Sequence, residues 1–318
     1  MSITLHRPEI VGDMWINSAP LKPHDLDNKL VLIHFWAFSC TQCRSAIPYL
    51  QKWWRRYRDL DFLIIGIHTP QLDFEKEPGG LRQAVSELGV QWPVVADNDY
   101  LNWTNYAANS WPAYYLFGRD GGLLFHQLGA GSLDEIEVVV QGNLRQTFGD
   151  IVLPTVDSDG HLHDDSCFVP TPEIHCGYAR GRLDNSEGYN FDMPFRYRTS
   201  NGLKKDSIAL LGTFVAKPEY VESAGEGATV FLQFRATEVN LVLKPVEAEA
   251  KVKLTFNGKT LPKQIAGRDV SESGEVLITK STVYNLILSD HPLDGILGIT
   301  RESGDFQAYT FTFSGCRS

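Results

Sequence analysis

Long apolar runs alternate with helical patterns in the first half of the chain. The run KLVLIHFWAF at residues 29–38 is almost without polar alternation, as expected of a strand covered on both faces of an α/β sheet. Directly after it, residues 43–60 place apolar side chains at steps of three and four, which predicts an amphipathic helix. A second apolar run, FLIIGI at residues 62–67, follows. The pattern therefore predicts a parallel strand, helix, strand crossover.

The remainder of the first 150 residues continues as a mixture of helices and strands. The predicted elements are a helix at 81–89, a strand at 93–96, a helix at 100–108, a hairpin over 113–128 and a helix at 132–148. Residues 1–150 are therefore predicted to form one α/β domain.

The pattern changes after residue 150. Residues 151–190 contain many Pro, Gly, His, Asp and Ser residues with little periodicity, which predicts an ordered-loop linker. From about residue 206, short alternating stretches recur and are separated by turns such as Asn257-Gly258. We therefore predict a second, all-β domain over residues 191–318, with a jelly-roll or sandwich architecture.

The charge and hydropathy of the sequence limit the partners and the location that are expected for the protein. The formal net charge is −10 and both halves are acidic, which argues against binding to nucleic acid. The amino terminus lacks a charged segment followed by an apolar core, and no run of about 18 apolar residues occurs. As written, the chain predicts a cytoplasmic protein without a membrane segment, although a chain trimmed of its targeting or membrane segment would have the same pattern.

Two of the five cysteines lie where the first strand meets the first helix. In FWAFSCTQC, only two residues separate Cys40 from Cys43. Unpaired backbone N–H groups at a helix N-terminus favour thiolate over thiol, so Cys40 is predicted to be the attacking nucleophile. Cys43, one turn further in, is predicted to resolve the mixed disulfide formed on Cys40. The expected redox centre is this pair alone, without a metal or other cofactor; a zinc site would need two further ligands.

The surrounding residues resemble a known family. The motif WAFSCTQC, the proline Pro48 after it, and Trp111-Pro112-Ala113 before a strand are similar to the thioredoxin fold, in particular its TlpA-like branch. The stretches GIHTPQLDFEKE, WPVVADNDYLNW, SWPAYYLFGRDG, TPEIHCGYARG and AYTFTF resemble the carboxy-terminal region of DipZ-type thiol:disulfide interchange proteins over nearly the whole chain. The resemblance implies a thiol:disulfide oxidoreductase that acts on protein thiols and disulfides.

The same resemblance assigns positions around the cysteine pair. Pro112 would be a cis-proline facing the pair, which lets the backbone of Trp111 pair with an extended substrate segment. A trans proline that begins an edge strand is the alternative. Trp36 would shield the rim of the site, or else pack in the core.

The chain departs from the family six residues before Cys40. Many thioredoxin-like proteins have a buried acid there, whereas this chain has His34, which is expected to act as a proton relay or to be a hydrogen-bonded core residue. His68, at the end of the second strand, has a similar but weaker claim. In the family, a membrane portion supplies electrons; it is missing from this sequence, and the resemblance suggests an extracytoplasmic location if the chain is trimmed.

The second domain of DipZ-type proteins resembles a carbohydrate-binding module, which implies a glycan site. Sugar sites commonly use exposed aromatic faces, yet all seven tryptophans lie at or before Trp111. The aromatic residues that remain as a platform are Tyr178, Tyr189, Phe191 and Tyr197, and packing against the redox domain is the alternative for them.

The other three cysteines leave several pairings open. Cys167 and Cys176 are expected to form a disulfide in an oxidising compartment or to remain free in the cytosol, and Cys316 to pair with either of them. A metal cluster of His161, Cys167, His175 and Cys176 is a further alternative.

Two other functions remain open from the sequence. One is a binding protein in which the β domain recognises a glycan or a protein and the redox centre is incidental. The other is a thiol-dependent peroxidase with Cys40 as the peroxidatic residue. Ala37 argues against this second function because the usual peroxiredoxin site has a threonine three positions before its cysteine.

Overall fold

The computed structural model describes residues 5–156, 168–198 and 203–316. The chain divides into two compact units, residues 1–162 and residues 163–318. None of the helices in the described ranges is both long and apolar enough to span a bilayer.

The first unit is built on a six-stranded mixed sheet. Its elements are β1 (Trp15–Ile16), β2 (Leu30–Trp36), α1 (Thr41–Tyr57), β3 (Phe62–His68), α2 (Pro78–Glu87), β4 (Val94–Ala96), α3 (Leu101–Asn105), β5 (Ala113–Phe117), β6 (Leu123–Leu128) and α4 (Leu133–Phe148). The strand order is β1-β4-β3-β2-β5-β6, with β2, β3 and β4 parallel and the other strands antiparallel to their neighbours. The predicted α/β fold and its first crossover are therefore confirmed.

The clearest differences from the prediction concern β1 and α3. Strand β1 has only two residues, too few for a hydrophobic pattern to reveal it. Helix α3 ends at Asn105 rather than at residue 108, because Ala107 has a φ of 52°, in the left-handed region that ends a right-handed helix.

The two faces of the sheet are covered by different elements. Every residue of β2 is buried, because β2 lies between β3 and β5 and is packed on both faces. Phe35 belongs to a core cluster that also contains Tyr106, which follows α3. On the opposite face, Tyr57 of α1 contacts Phe62 of β3 with ring centroids 5.9 Å apart. Because side chains alternate along a strand, Phe62 and the residues two and four positions away from it lie on one face of the sheet. The contact of Tyr57 with Phe62 shows that α1 covers this face.

The second unit is an antiparallel sheet of ten strands. These are β7 (Ile174–His175), β8 (Pro194–Tyr197), β9 (Ile208–Ala216), β10 (Val221–Ser223), β11 (Thr229–Pro245), β12 (Ala250–Phe256), β13 (Lys259–Thr260), β14 (Glu275–Ile278), β15 (Thr282–Ser303) and β16 (Phe306–Ser314). The long strand β11 pairs with β15 along its length, with β9 through its first part and with β16 through its second part. Strand β10 pairs with both β9 and β16. Strands β9, β10, β16 and β11 therefore form a closed circuit of pairings. The predicted all-β domain is confirmed.

Part of the predicted linker contributes to this second unit. Strand β7 pairs with β16, and both Ile174 and Cys176 are buried in the core of the sheet. The predicted boundaries at residues 150 and 190 stay a prediction.

Candidate active site

The ends of three strands meet at one edge of the first sheet. In the parallel pair β2 and β3, Trp36 lies opposite His68, so both strands end there. Strand β5 is antiparallel to β2 and Ala113 lies opposite Phe35, so β5 begins at this same edge. Pro112, which immediately precedes β5, is thereby placed at the edge from which the chain continues into the cysteine loop.

The two cysteines form a disulfide across the first turn of α1. Their Cα atoms are 5.2 Å apart. Cys40 is the N-cap of the helix, and its Sγ accepts a hydrogen bond from the backbone N–H of Cys43 at 3.1 Å. Cys40 is 8 % exposed, whereas Cys43 is completely buried. The sulfur that accepts a backbone hydrogen bond is therefore also the one that an incoming partner can reach.

Two buried side chains hold the loop that carries Cys40. The backbone N–H of Phe38 donates to Nε2 of His68 at 3.3 Å, and the backbone N–H of Ser39 donates to Oε1 of Glu75 at 2.8 Å. The other carboxylate oxygen, Oε2 of Glu75, accepts from the backbone N–H groups of Gln71 and Leu72 at 2.7 and 3.0 Å. One carboxylate thus connects the loop before α1 to the segment after β3.

Glu75 is a site residue that the sequence pattern did not reveal. It is 1 % exposed and lies in a short 3-10 helix, Asp73–Lys76, that follows β3. Burial raises the pKa of the Glu75 carboxyl, and the three backbone hydrogen bonds oppose that rise. The only sequence signal is an acidic residue directly after the apolar Phe74, which is weak because solvated loops contain many acids.

His68 is neutral at physiological pH. Burial lowers the pKa of its imidazole to about 3. Its Nε2 lies 3.9 Å from Oε1 of Glu75, which is too long for a hydrogen bond and, with a neutral ring, is not an ion pair. Since Nε2 accepts from the backbone of Phe38, the ring proton must be on Nδ1.

His34 is buried on the face of the sheet that α1 covers. Its ring stacks on Tyr114 with centroids 5.0 Å apart and lies 6.3 Å from the ring of Trp36. Among the described residues neither ring nitrogen has a hydrogen-bond partner, so the predicted core residue with satisfied hydrogen bonds is not observed. Burial lowers the pKa of His34 to about 3.

We expect His34→Phe to lose less stability than wild type when the pH falls into the mildly acidic range. In the native state the pKa of His34 is about 3, below its ordinary value of 6.5, so the unfolded chain binds more protons between these values. The stability that His34 contributes is therefore present above pH 6.5 and decreases as the pH falls. Between about pH 7.5 and about pH 5, wild type should lose about 2 kcal/mol more than the variant. Urea unfolding followed by tryptophan fluorescence measures this in the first unit, since all seven tryptophans lie between residues 15 and 111.

The exposed His24 provides the control for this experiment. His24→Phe removes an exposed imidazole instead of a buried one, so it is the matched substitution with which the pH dependence of His34→Phe is compared. An unchanged pH dependence in His34→Phe would contradict the assignment of His34 as a buried neutral imidazole.

The two predicted substrate-positioning tryptophans lie in different environments. Trp36 is 1 % exposed and packs edge-on against His68, so the rim position predicted for it is wrong and core packing is observed. Trp111 is partly exposed; its indole N–H donates to the carbonyl of Thr69 at 2.9 Å and its ring stacks on Trp103 at 4.1 Å. The bond between Trp111 and Pro112 is cis.

The remaining cysteines lie in the second unit. Cys176 is a free, buried thiol whose pKa is raised by burial, so of its predicted alternatives the free thiol is observed and a disulfide with Cys167 or Cys316 is wrong. Cys316 is disulfide-bonded. The predictions for His161 and Cys167 lie outside the described residues.

A thioredoxin-like sheet with a disulfide at the N-terminus of its first long helix defines a class, the thioredoxin-fold thiol:disulfide oxidoreductases. Residues 16–125 match the AhpC/TSA family and residues 171–314 match the family described as "Thioredoxin like C-terminal domain". The chain is a homologue of DipZ. It is 29% identical over 308 residues to Protein DipZ of Mycobacterium bovis, and the alignment covers 94% of this chain.

Other similarities cover about half of the chain. Thiol-disulfide oxidoreductase YkuV of Bacillus subtilis is 27% identical over 148 residues, which are 46% of this chain and 99% of YkuV. A solved thioredoxin-like protein in its oxidized form is 26% identical with a TM-score of 0.42, over 46% of this chain and 99% of that protein. The chain spans only 41% of the length of DipZ. The similarity therefore does not by itself assign the activity, substrates or partners of a full-length protein to this chain.

Proposed function

We propose that Cys40 and Cys43 exchange a disulfide with cysteines of partner proteins, with Cys40 as the attacking sulfur. The observation that carries this assignment is the asymmetry of the pair: Cys40 keeps 8 % of its surface exposed and accepts a backbone N–H at the helix N-terminus, while Cys43 is completely buried. Donors at this position favour the thiolate form, which is the nucleophile in disulfide exchange.

The exchange proceeds in two balanced steps. The Cys40 thiolate attacks one sulfur of a partner disulfide, which forms a mixed disulfide and releases the other partner sulfur as a thiolate. Cys43 then loses its proton and attacks Cys40 at the mixed disulfide, which re-forms the Cys40–Cys43 disulfide and releases the second partner sulfur. Two electrons pass from the cysteine pair to the partner, and the reverse sequence oxidises a partner dithiol.

Residues around the pair have supporting roles in this proposal. Pro112 and the backbone of Trp111 position an extended segment of the partner beside Cys40, supported by their place at the sheet edge. The indole of Trp111 is held by Thr69 and Trp103, so this wall of the site is ordered before a partner binds. His34 and His68 are the proposed proton relay for the buried Cys43, on the support of their place at or near the ends of β2 and β3, beside the cysteine loop. Glu75 positions the loop.

The proposed location is an oxidising compartment outside the cytoplasm. Cys316 is disulfide-bonded and lies far in sequence from the redox pair, and structural disulfides persist in oxidising compartments. The electron donor would then be a separate membrane portion, as the resemblance to DipZ implies.

We also propose that the second unit has a jelly-roll architecture and carries a glycan site. Phe191 is 59% exposed, and its ring lies 4.6 Å from that of Tyr178, whose hydroxyl donates to Asp192. Tyr197 is buried, and Tyr189 donates to the carbonyl of Cys176, so neither belongs to an exposed platform. Binding to a glycan array that is lost in Phe191→Ala would support the site, and no binding by the full chain would reject it.

Trapping of a mixed disulfide tests the proposed function. Reduced Cys43→Ser should form a covalent adduct with an oxidised protein substrate, because no second sulfur is available to release it. Mass spectrometry before and after treatment with dithiothreitol identifies the adduct.

Cys40→Ser is the matched control for trapping. It retains one sulfur of the pair, but that sulfur is buried, so little or no adduct is expected. Equal trapping by both variants would reject Cys40 as the attacking sulfur. Faster turnover of hydrogen peroxide than of protein disulfides would instead favour the peroxidase.

A further inference from the structure

A second buried carboxylate lies at the sheet edge that carries the cysteine loop. Asp97 directly follows Ala96, the last residue of β4, and Ala96 lies opposite His68 at the end of β3. The Asp97 side chain is only 4 % exposed, and no Lys or Arg pairs with it in the described part of the chain. Aspartate is rarely buried without such a partner, so the burial of this one requires an explanation.

Four donors surround the Asp97 carboxylate. Its Oδ1 accepts from the backbone N–H of Asn102 at 2.9 Å and from the side-chain Nδ2 of Asn102 at 3.2 Å. Its Oδ2 accepts from the backbone N–H of Trp103 and from the hydroxyl of Thr69, both at 2.9 Å. Hydrogen bonds to an ionised acceptor are roughly twice as strong as neutral ones. Asp97 therefore ties the first turn of α3 to the segment that follows β3.

Both of these attachments lead to Trp111. The carbonyl of Thr69 accepts the indole N–H of Trp111 at 2.9 Å. The ring of Trp103 stacks on the ring of Trp111 with centroids 4.1 Å apart. One contact holds the edge of the Trp111 indole and the other covers its face. Asp97 is bonded to both residues that make these contacts.

Capping of α3 does not by itself account for this arrangement. The N-cap of α3, Tyr100, makes no side-chain hydrogen bond, so the Asp97 carboxylate caps the short helix in its place. A cap needs only the backbone N–H groups of its own helix. Thr69 lies outside α3, yet its hydroxyl bonds to the same oxygen as the N–H of Trp103. The shared oxygen fixes the two supports of Trp111 relative to one another.

We propose that Asp97 is a positioning residue for disulfide exchange with protein partners. Through Thr69 and Trp103, its carboxylate holds the Trp111 ring in the orientation that a partner segment meets beside Cys40. This inference rests on the proposed function, in which the partner binds along Trp111.

The two buried carboxylates thus have separate tasks. Glu75 holds the loop that carries Cys40, whereas Asp97 holds the surface along which the partner lies. Loss of the Asp97 carboxylate should therefore weaken the binding of a protein substrate and leave the reactivity of the sulfur unchanged. An interaction made equally in the ground state and in the transition state changes KM and leaves kcat unchanged.

Kinetics with a large and a small disulfide test the proposal. In Asp97→Asn, one oxygen becomes an NH₂ group that cannot accept from the donors it faces. We expect the KM for insulin to rise about tenfold, with kcat within a factor of about two of wild type. The reduced variant should react with hydroxyethyl disulfide, which is too small to lie along Trp111, as fast as wild type. Asp99→Asn removes an exposed carboxylate two residues away and is the matched control, with both rates unchanged.

A double substitution separates positioning from a merely structural role. Addition of Asp97→Asn to Trp111→Ala should raise the KM for insulin no further, because Asp97 acts through Trp111. A residue that only supports the fold would add its own effect. If Asp97→Asn does not fold, Thr69→Val replaces it. This variant removes the hydroxyl bonded to Oδ2, keeps the carbonyl that accepts Trp111, and should raise KM in the same direction.

Three results would overturn the positioning role of Asp97. They are an unchanged KM for insulin in the variants, an equal loss of rate with hydroxyethyl disulfide, and additive effects in the double variant. Failure of the proposed function gives a different result, because insulin reduction would then survive Cys40→Ser whatever the effect of Asp97→Asn.

Discussion

Replacement of Cys40 by serine is expected to lower the rate of insulin disulfide reduction by at least about 10³-fold, to the uncatalysed background. A serine hydroxyl is not ionised at neutral pH and has no base positioned to activate it, so the sulfur anion at the start of α1 has no substitute. The fold should remain intact, because serine is itself a preferred N-cap residue and can accept the N–H of Cys43. Turnover is measured as insulin precipitation with a thiol reductant.

Cys176→Ala is the matched control for this loss. Cys176 is a free, buried thiol in the second unit, outside the redox site. Its removal should leave the rate of insulin reduction within a factor of about two of wild type, which is a small change in activation free energy. If Cys40→Ser retained the rate of wild type, both the disulfide oxidoreductase and the peroxidase would be rejected, and the binding protein would become the leading function.

Glu75→Gln is expected to destabilise the first unit by about 1–3 kcal/mol. The carboxylate accepts backbone hydrogen bonds on both oxygens, from Ser39 on one side and from Gln71 and Leu72 on the other. A carboxamide has only one oxygen, so its NH₂ group must face at least one of these N–H donors and leave it unpaired. Urea unfolding followed by tryptophan fluorescence, near neutral pH, measures the change.

The exposed Glu87 separates this effect from the loss of a charge. Glu87→Gln also removes a carboxylate but should change the free energy of unfolding by no more than about 0.5 kcal/mol. Disulfide reduction should also slow in Glu75→Gln, because Ser39 immediately precedes Cys40 and a loosened loop no longer holds the sulfur at the helix N-terminus. A variant as stable as wild type would show that the three hydrogen bonds do not hold the loop.

Local pattern was sufficient for much of this site. The apolar run before Cys40 and the amphipathic spacing after Cys43 predict a strand that leads directly into a helix, so the placement of the pair at a helix N-terminus follows from adjacent residues. The place of Pro112 before a strand was also predictable. These features depend on neighbours in sequence, which periodicity reports.

The environments of Trp36 and Glu75 could not be predicted from the sequence pattern. Trp36 lies in a strand buried on both faces, and a continuous apolar run contains no alternation to show which side chains approach the surface. Glu75 is separated from Ser39 by 36 residues, and only the parallel pairing of β2 with β3 brings their loops together. No spacing rule reports a carboxylate that turns inward towards backbone donors of a distant loop.

By itself the sequence determined the order of the helices and longer strands of the first unit, the all-β second unit and the reactive pair, because each depends on side-chain periodicity or on adjacent residues. Only the tertiary structure decided that Glu75 and His68 hold the cysteine loop and that Trp36 lies in the core. The physical reason is that burial and hydrogen-bond partners are set by strands and helices that are distant in sequence and adjacent in space.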